Sequence, residues 1–384
     1  MPDTREFDLV LLGATGFTGR LTAEHLARRL EDGDTNWAIA GRNRDKLETL
    51  AAELPGDPGV VVADTGDLVG LLELAERTRV LASTVGPYAR HGELVVQACV
   101  RSGTHYADIT GEPGFVQLLH DRYGADAERQ GVKIVSSCGF ESVPHDMGVR
   151  YTVGHLPDDV PLTVRAYVRA KARFSGGTAL SAIGAIASYA GGATDPASGS
   201  GSDGRRAVAL PLRIHRVPEL NGYGVPLPTI EPGIVLRSAR SLDGYGSAFR
   251  YGQYAWVGNL PAMAAGVGAV GTAAAMASFG PTRKLLEAVV PNSGEGPDEK
   301  TRAKSSFEIT FLGRGAGTRV ITRVAGGDPG YGETSRMLGE AILSLAEDDG
   351  PDVAGVLTPA VALGEPYHQR LVGLGIVFEV VETA

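Results

Sequence analysis

Cysteine is nearly absent: Cys99 and Cys138 are the only two in 384 residues. A disulfide framework is thereby excluded, no Cys/His spacing for a metal site occurs, and a reducing cytoplasm is the expected setting. No signal-peptide pattern precedes Phe7, where the first apolar run begins. Lys and Arg never gather into a long block and the formal net charge is -9, which removes nucleic acid from the expected partners. No collagen-like period organises the 53 glycines, so they mark turns and close backbone approaches instead. Charge is missing altogether from Tyr251 to Thr282. That stretch is long enough for a bilayer, yet its Ala, Gly and Met lack the Leu/Ile/Val content that drives insertion. A buried or dimer-forming helix is expected there, with peripheral membrane contact as the alternative.

What remains is an ordinary globular composition, 43% hydrophobic and 21% charged, on a chain long enough for two cores. Up to residue 148, short apolar runs alternate with helical spacing. Phe7–Leu12, Trp37–Ala40, Val60–Ala63, Val80–Thr84, His105–Ile109 and Val132–Val135 read as strands. Phe17–Leu30, Asp45–Leu54, Asp67–Ala75 and Gly92–Arg101 read as the helices between them. This order predicts an α/β fold, a Rossmann-like doubly wound parallel sheet, over residues 1–148.

From 149 to 384 the rhythm changes. "VPLTVRAYVRAKARF" alternates apolar and polar residues, the mark of a strand with one solvated face. Further strands are expected at Ile234–Ser241, Ser306–Leu312 and Thr318–Val324, and a helix at Thr334–Ala346. Gly199–Gly204 and Pro291–Lys304 read as polar loops. The second domain is therefore expected to be an α+β substrate or dimerisation domain with a mostly antiparallel sheet, residues 350–384 being free to pack back on the first. Tyr167 and Lys171 have the spacing of a short-chain dehydrogenase pair, but on a strand they lie about 13 Å apart and cannot act together.

"LVLLGATGFTGRL" places Gly13, Gly16 and Gly19 where strand one turns into helix one, the position at which a parallel sheet offers a helix N-terminus to a pyrophosphate. Strand two ends in "AGRNRDKL", without the acid that would accept from the ribose of NAD. Arg42 and Arg44 stand there instead, suited to a 2′-phosphate, so NADP(H) is the expected cofactor. The expected cofactor contacts are Gly13, Ala14, Thr15, Gly16, Phe17, Thr18 and Gly19 in the loop and first turn, and Arg42, Asn43 and Arg44 at the ribose. Asp64 is expected near the adenine, and Thr84, Val85, Gly86, Pro87 and Tyr88 near the nicotinamide ribose.

"GATGFTGR", "AGRNRDKL", "STVGPYARHGELVVQACVRSGTHYADITGE" and "SCGFESVPHDMG" together resemble the saccharopine-dehydrogenase-like oxidoreductases. With "FSGGTALSA", "GEGPDEKTRAKSSFEITFLG", "GDPGYGETSRMLGEAIL" and "GVLTPAVALGEPYHQRL", the resemblance extends over nearly the whole chain and narrows to the actinobacterial trans-acting enoyl reductases. It implies an NADP-binding Rossmann domain, an α+β substrate domain, and reduction of an α,β-double bond on an acyl or polyketide chain held by a carrier. The family's "GFDSIPSD" stands here as "GFESVPHD", with Glu141 for Asp and His145 for Ser.

Such a reduction asks for a proton source and for stabilisation of enolate charge, from loops at the carboxyl ends of the strands. Tyr88, as a donor, and His145 with Asp146, as a proton relay, are the expected catalytic residues. Glu112, Phe140, Glu141, Ser175, Gly176, Gly177 and Thr178 are the expected substrate pocket, and no metal is expected. Two other readings stay open: an oxidoreductase of imine or amino-acid substrates, and a non-enzymatic nucleotide-binding protein associated with lipid or membrane. A cytoplasmic homodimer, with membrane association as a variant, is the expected state.

Overall fold

In the computed structural model, residues 5–171, 199–200, 204–211, 213–227, 229–261 and 296–384 are described. Expectations for Ser175, Gly176, Gly177 and Thr178, and for residues 262–282, lie outside them. The chain divides into a unit of Met1–Val143 with Tyr331–Gly375, and a unit of Pro144–Gly330 with Ile376–Ala384. The sequence places the boundary five residues later and leaves open the return of residues 350–384 to the first unit, whereas the returning segment here is Tyr331–Gly375.

β1 (Phe7–Leu12) is buried from Leu9 onward, so both of its faces must be covered, and it sits mid-sheet. The first unit's sheet runs β15 (Gly355–Leu357), β6 (Lys133–Val135), β5 (His105–Asp108), β4 (Thr78–Ser83), β1, β2 (Trp37–Gly41), β3 (Gly59–Val62). Every pairing in it is parallel. The order reverses between β1 and β4, which makes their carboxyl ends the switch point where such sheets bind ligands.

α1 (Phe17–Leu30), α2 (Arg44–Glu53), α3 (Leu68–Glu76), α5 (Glu93–Ser102) and α6 (Pro113–Arg129) follow the first five strands, with the short α4 (Tyr88–His91) just before α5. The seventh strand comes from the end of the chain, with α9 (Gly332–Glu347) before it and α10 (Pro359–Gly373) after. Glu340 of α9 is buried and ties these helices to α1. Its Oε1 lies 2.9 Å from both His25 Nε2 and Arg29 Nε, and its Oε2 accepts from Arg370 at 3.3 Å. Burial pulls the carboxyl up, but the His25 hydrogen bond and the Arg29 and Arg370 guanidiniums outweigh it and hold it below its usual range.

The second unit carries a mixed sheet in the order β10 (His215–Val217), β11 (Gly222–Pro226), β12 (Ala248–Val257), β7 (Pro161–Lys171), β13 (Ser306–Gly315), β14 (Thr318–Gly326), β16 (Val377–Thr383). β8 (Gly199–Ser200) pairs with β9 (Arg206–Ala209), which joins beside the first half of β12. β12 runs parallel to β7 and β9, and the remaining ladders of this path are antiparallel. Two expectations are corrected here. Ile234–Ser241 is not a strand but most of α8 (Glu231–Ser241): Pro232 starts it, and Ile234, Val235, Ser238 and Ala239 recur on a buried side at helical spacing. Tyr251–Val257 is strand, not helix, because it pairs in register with β7 on one side and β11 on the other to complete β12.

Tyr167 lies on β7, stacked on Tyr254 at 5.6 Å with its hydroxyl 2.8 Å from His215 Nε2. It belongs to a small apolar cluster with Val217, Leu312 and Ile321. Its role is packing, as the strand geometry requires.

Candidate nucleotide and substrate site

The loop between β1 and α1 is built from three glycines with three different reasons. Gly13 has φ +89°, which a side chain would strain, and a Cβ there would lie 2.7 Å from Val85 Cγ2. At Gly19 a Cβ would lie 2.1 Å from the Gly13 carbonyl oxygen, so helix and strand could not pack. Gly16 differs: it is exposed, its φ is -76°, and a Cβ would meet a single atom within 4 Å, the Gly13 oxygen at 3.3 Å. Protein packing does not demand glycine at 16. The space above it faces the N-terminus of α1, whose first turn has no side-chain cap and no acid. An unblocked, positively polarised helix end beside an unfilled Cβ position fits a pyrophosphate.

The rest of the cradle follows from the switch point. Thr84, at the end of β4, donates its hydroxyl to the Gly13 carbonyl at 3.1 Å and locks the two loops together. Thr15 is exposed, with its hydroxyl beside the end of β2 at Gly41, while Ala14 is buried. Phe17 packs edge-on against Tyr331 at 4.9 Å. Just past β2, Arg42 is exposed and makes no ion pair among the described residues. Asn43 and Arg44 are used locally: Asn43 caps α2 by accepting from the Lys46 amide at 2.9 Å, and Arg44 lies 3.5 Å from Glu48. Asp64 accepts from the Gly66 amide at 2.8 Å. Val85 is half-buried, and Gly86 and Pro87 are exposed in the loop that leads to Tyr88.

Tyr88 and Glu112 come together beyond β4. The Glu112 carboxylate accepts from the Tyr88 and Ala89 amides at 2.8 and 3.0 Å, capping α4. The Tyr88 ring is buried against Phe115, and its hydroxyl donates to the Ser83 carbonyl at 2.9 Å. Burial, with the Asp108 and Glu141 charges nearby, holds this phenol well above its usual range. It is a clamp on the loop.

Asp108 is the residue whose weight the sequence understates. Its Oδ1 accepts from the Thr110 and Ser137 amides at 2.9 Å each, and its Oδ2 from Ser136 at 3.3 Å. Burial pushes its carboxyl up to about 6 in spite of those bonds. Ser137, at φ +63°, donates its hydroxyl to the Thr110 carbonyl at 2.7 Å. The Asp-x-Thr at a strand's end is the local signal for this Asx turn. Nearby, Glu141 accepts from the Gly139 amide at 2.8 Å, and the Phe140 amide donates to Thr334 Oγ1 at 3.1 Å.

His145 and Asp146 belong to the second unit, on α7 (Val143–Val153), and both are buried. Burial drives the His145 imidazole down to about 3, so it is neutral at physiological pH. The Asp146 charge is felt by the buried Tyr245 and Tyr251.

Among the described residues no helix is long and apolar enough to cross a membrane, and no group of three His, Cys, Asp or Glu is placed to hold a metal.

Residues 9–134 match the saccharopine dehydrogenase NADP-binding domain. A Mycobacterium tuberculosis protein provisionally named a trans-acting enoyl reductase is 37% identical, over 97% of each chain. The trans-acting enoyl reductase of Mycobacterium leprae is 34% identical over 98% of each. Apo saccharopine dehydrogenase (L-Glu forming) of Saccharomyces cerevisiae has the same fold, with a TM-score of 0.55 at 13% identity over 98% of this chain and 99% of that one. The cofactor is therefore NADP(H), as the open helix end and Arg42 suit. The chain belongs to the trans-acting enoyl reductase family, NADP-dependent oxidoreductases with a saccharopine-dehydrogenase-like nucleotide domain.

Proposed function

We propose that the protein reduces the α,β-double bond of an acyl or polyketide chain held as a thioester and presented by a separate carrier. The observation that carries this is the match along 97% of the chain to relatives that bear the trans-acting enoyl reductase name, joined to a nucleotide cradle with its phosphate end open. NADPH supplies the hydride when bound.

The residues' own work is to bind and to orient. The amides at the start of α1 take the pyrophosphate, and the Arg42 guanidinium takes the 2′-phosphate. Thr84, bonded to Gly13, holds the β4 loop against the glycine loop. Glu112 and Tyr88 fix that loop from the far side, and Asp108 fixes the ends of β5 and β6. Tyr88 is thus a positioning residue: its proton is spent on Ser83. A floor held in this way would keep the loops that bind the cofactor from reorganising while substrate and cofactor meet.

Purified protein mixed with NADPH and a 2-enoyl thioester tests the reading. Oxidation of NADPH with stoichiometric saturated thioester is expected. Turnover with a keto acid and an amine, but none with the enoyl thioester, would overturn it.

A further inference from the structure

The second unit's sheet has helix packed on one face. Gly148 of α7 leaves the room that Phe311 and Val324 fill, and Thr152 Oγ1 lies 2.6 Å from Thr322 Oγ1. The opposite face is cationic. Its acids are already taken: Glu308 and Glu379 by Arg323, and Glu382 by Arg319. Glu219, from the turn before β11, takes Arg314. Along β9, β12 and β7, three guanidiniums are left over. Arg206 and Arg250 are exposed, Arg165 is half-buried beside the Tyr254 hydroxyl, and none has a carboxylate partner among the described residues.

Strand register sets their spacing. Arg250 pairs with Val208 on one side and Thr163 on the other, so Arg206 and Arg165 each sit one strand over and two residues along. Each step is about 8 Å, from strands about 4.8 Å apart and a rise of about 3.3 Å per residue. The three Cα positions form a diagonal about 16 Å long, the length of about three turns of helix. Val208, Leu210, Pro211 and Ala248 floor a groove of about 340 Å³ between Arg206 and Arg250, room for an apolar side chain. On a chain of net charge -9, such a face attracts an acidic surface and repels a cationic one.

We propose that this face docks an acidic helix of the carrier domain that presents the acyl chain, with Arg206, Arg250 and Arg165 as its line of contacts. The proposal rests on the reading that the substrate arrives on a carrier. Charges this exposed act on encounter and orientation, so their signature is a salt-dependent association.

The test uses the full chain and a purified, phosphopantetheinylated acyl-carrier domain with an acidic helix, loaded with a 2-enoyl chain. Binding is measured directly, and reduction is measured in parallel with the free 2-enoyl pantetheine thioester. Wild-type binding is expected to weaken about tenfold between low and physiological salt. The double variant Arg206→Glu/Arg250→Glu is expected to weaken it about tenfold or more at low salt and to flatten that salt dependence. Its melting temperature, and its kcat/KM for the free thioester to within about twofold, should stay unchanged. Arg250→Ala, a milder change, should show an intermediate loss.

Equal carrier binding by wild type and variant would overturn the proposal. So would an equal loss with the free thioester, or arginine-dependent binding of anionic phospholipid vesicles in place of the carrier. Carrier docking without reduction supports the face and removes the enoyl reductase reading. Reduction of the free thioester without arginine-dependent docking removes the face and keeps that reading.

Discussion

Replacing Gly19 with alanine puts a methyl carbon 2.1 Å from the Gly13 carbonyl oxygen, where ordinary contact starts near 3.4 Å. The oxygen is not free to move. It accepts from the Gly16 amide at 2.9 Å and from Thr84 Oγ1 at 3.1 Å. Helix α1 must therefore retreat from β1 by about 1.3 Å, a displacement at the upper end of what overpacked sites cost, about 2–3 kcal/mol. Alanine's better helix propensity returns about 1 kcal/mol, leaving a net loss of about 1–2 kcal/mol. For a unit of this size that lowers the melting temperature by roughly 2–8 °C. Gly16→Ala is the control, since its new carbon meets one atom at 3.3 Å and its φ is ordinary. Its stability should change by no more than about 0.5 kcal/mol. Its methyl group occupies the pyrophosphate's approach, so the NADPH Kd should rise about tenfold or more. Thermal melts without nucleotide and calorimetric titration with NADPH separate the two effects. A Gly16→Ala protein that binds NADPH like wild type would refute the phosphate placement. A Gly19→Ala protein that melts like wild type would refute the packing account.

Arg42→Leu should raise the NADPH Kd about 10- to 100-fold, the worth of a charge-assisted contact, and leave NADH binding alone; equal loss of both nucleotides would show that Arg42 does not meet the 2′-phosphate. Asp108 titrates near 6 in the folded protein, above the unfolded carboxyl near ~3.9, so the native state binds more protons between those values. Its contribution to stability is complete below about pH 4 and is lost as the pH rises through about 6, a change on the order of 3 kcal/mol. Asp108→Asn retains an oxygen for the Thr110 and Ser137 amides, so urea unfolding of the variant should lose less stability than wild type between about pH 4.5 and 7.5. An unaltered pH slope would contradict this. The His145 imidazole, depressed to about 3, should show no NMR titration from about pH 5 to 8, and a midpoint near ~6.5 would disprove its burial in neutral form.

The nucleotide domain was legible because its signals are local. The apolar run Phe7–Leu12, the glycines at 13, 16 and 19, and the periodicity of Phe17–Leu30 each concern neighbours a few residues apart, and the structure returns those elements with the same bounds. The apolar run at Ile234–Ser241 misled for the same reason: a short run fits strand or helix until packing selects one. Tyr88 was found by position, but the direction of its hydroxyl is set by the Ser83 carbonyl at the end of the sheet.

By itself, then, the amino-acid order determined the parallel α/β character, the uncapped helix end proposed for a phosphate, and the guanidinium that stands in place of an acid after β2. Only the tertiary structure decided that β15, three residues long, completes the first sheet beside Lys133–Val135, that Glu340 joins α1 to the end of the chain, and that three arginines from three strands fall into line. Backbone conformation follows from spacing along the chain. Strand partners, and the direction in which a side chain finally points, follow from what packs around it across hundreds of residues.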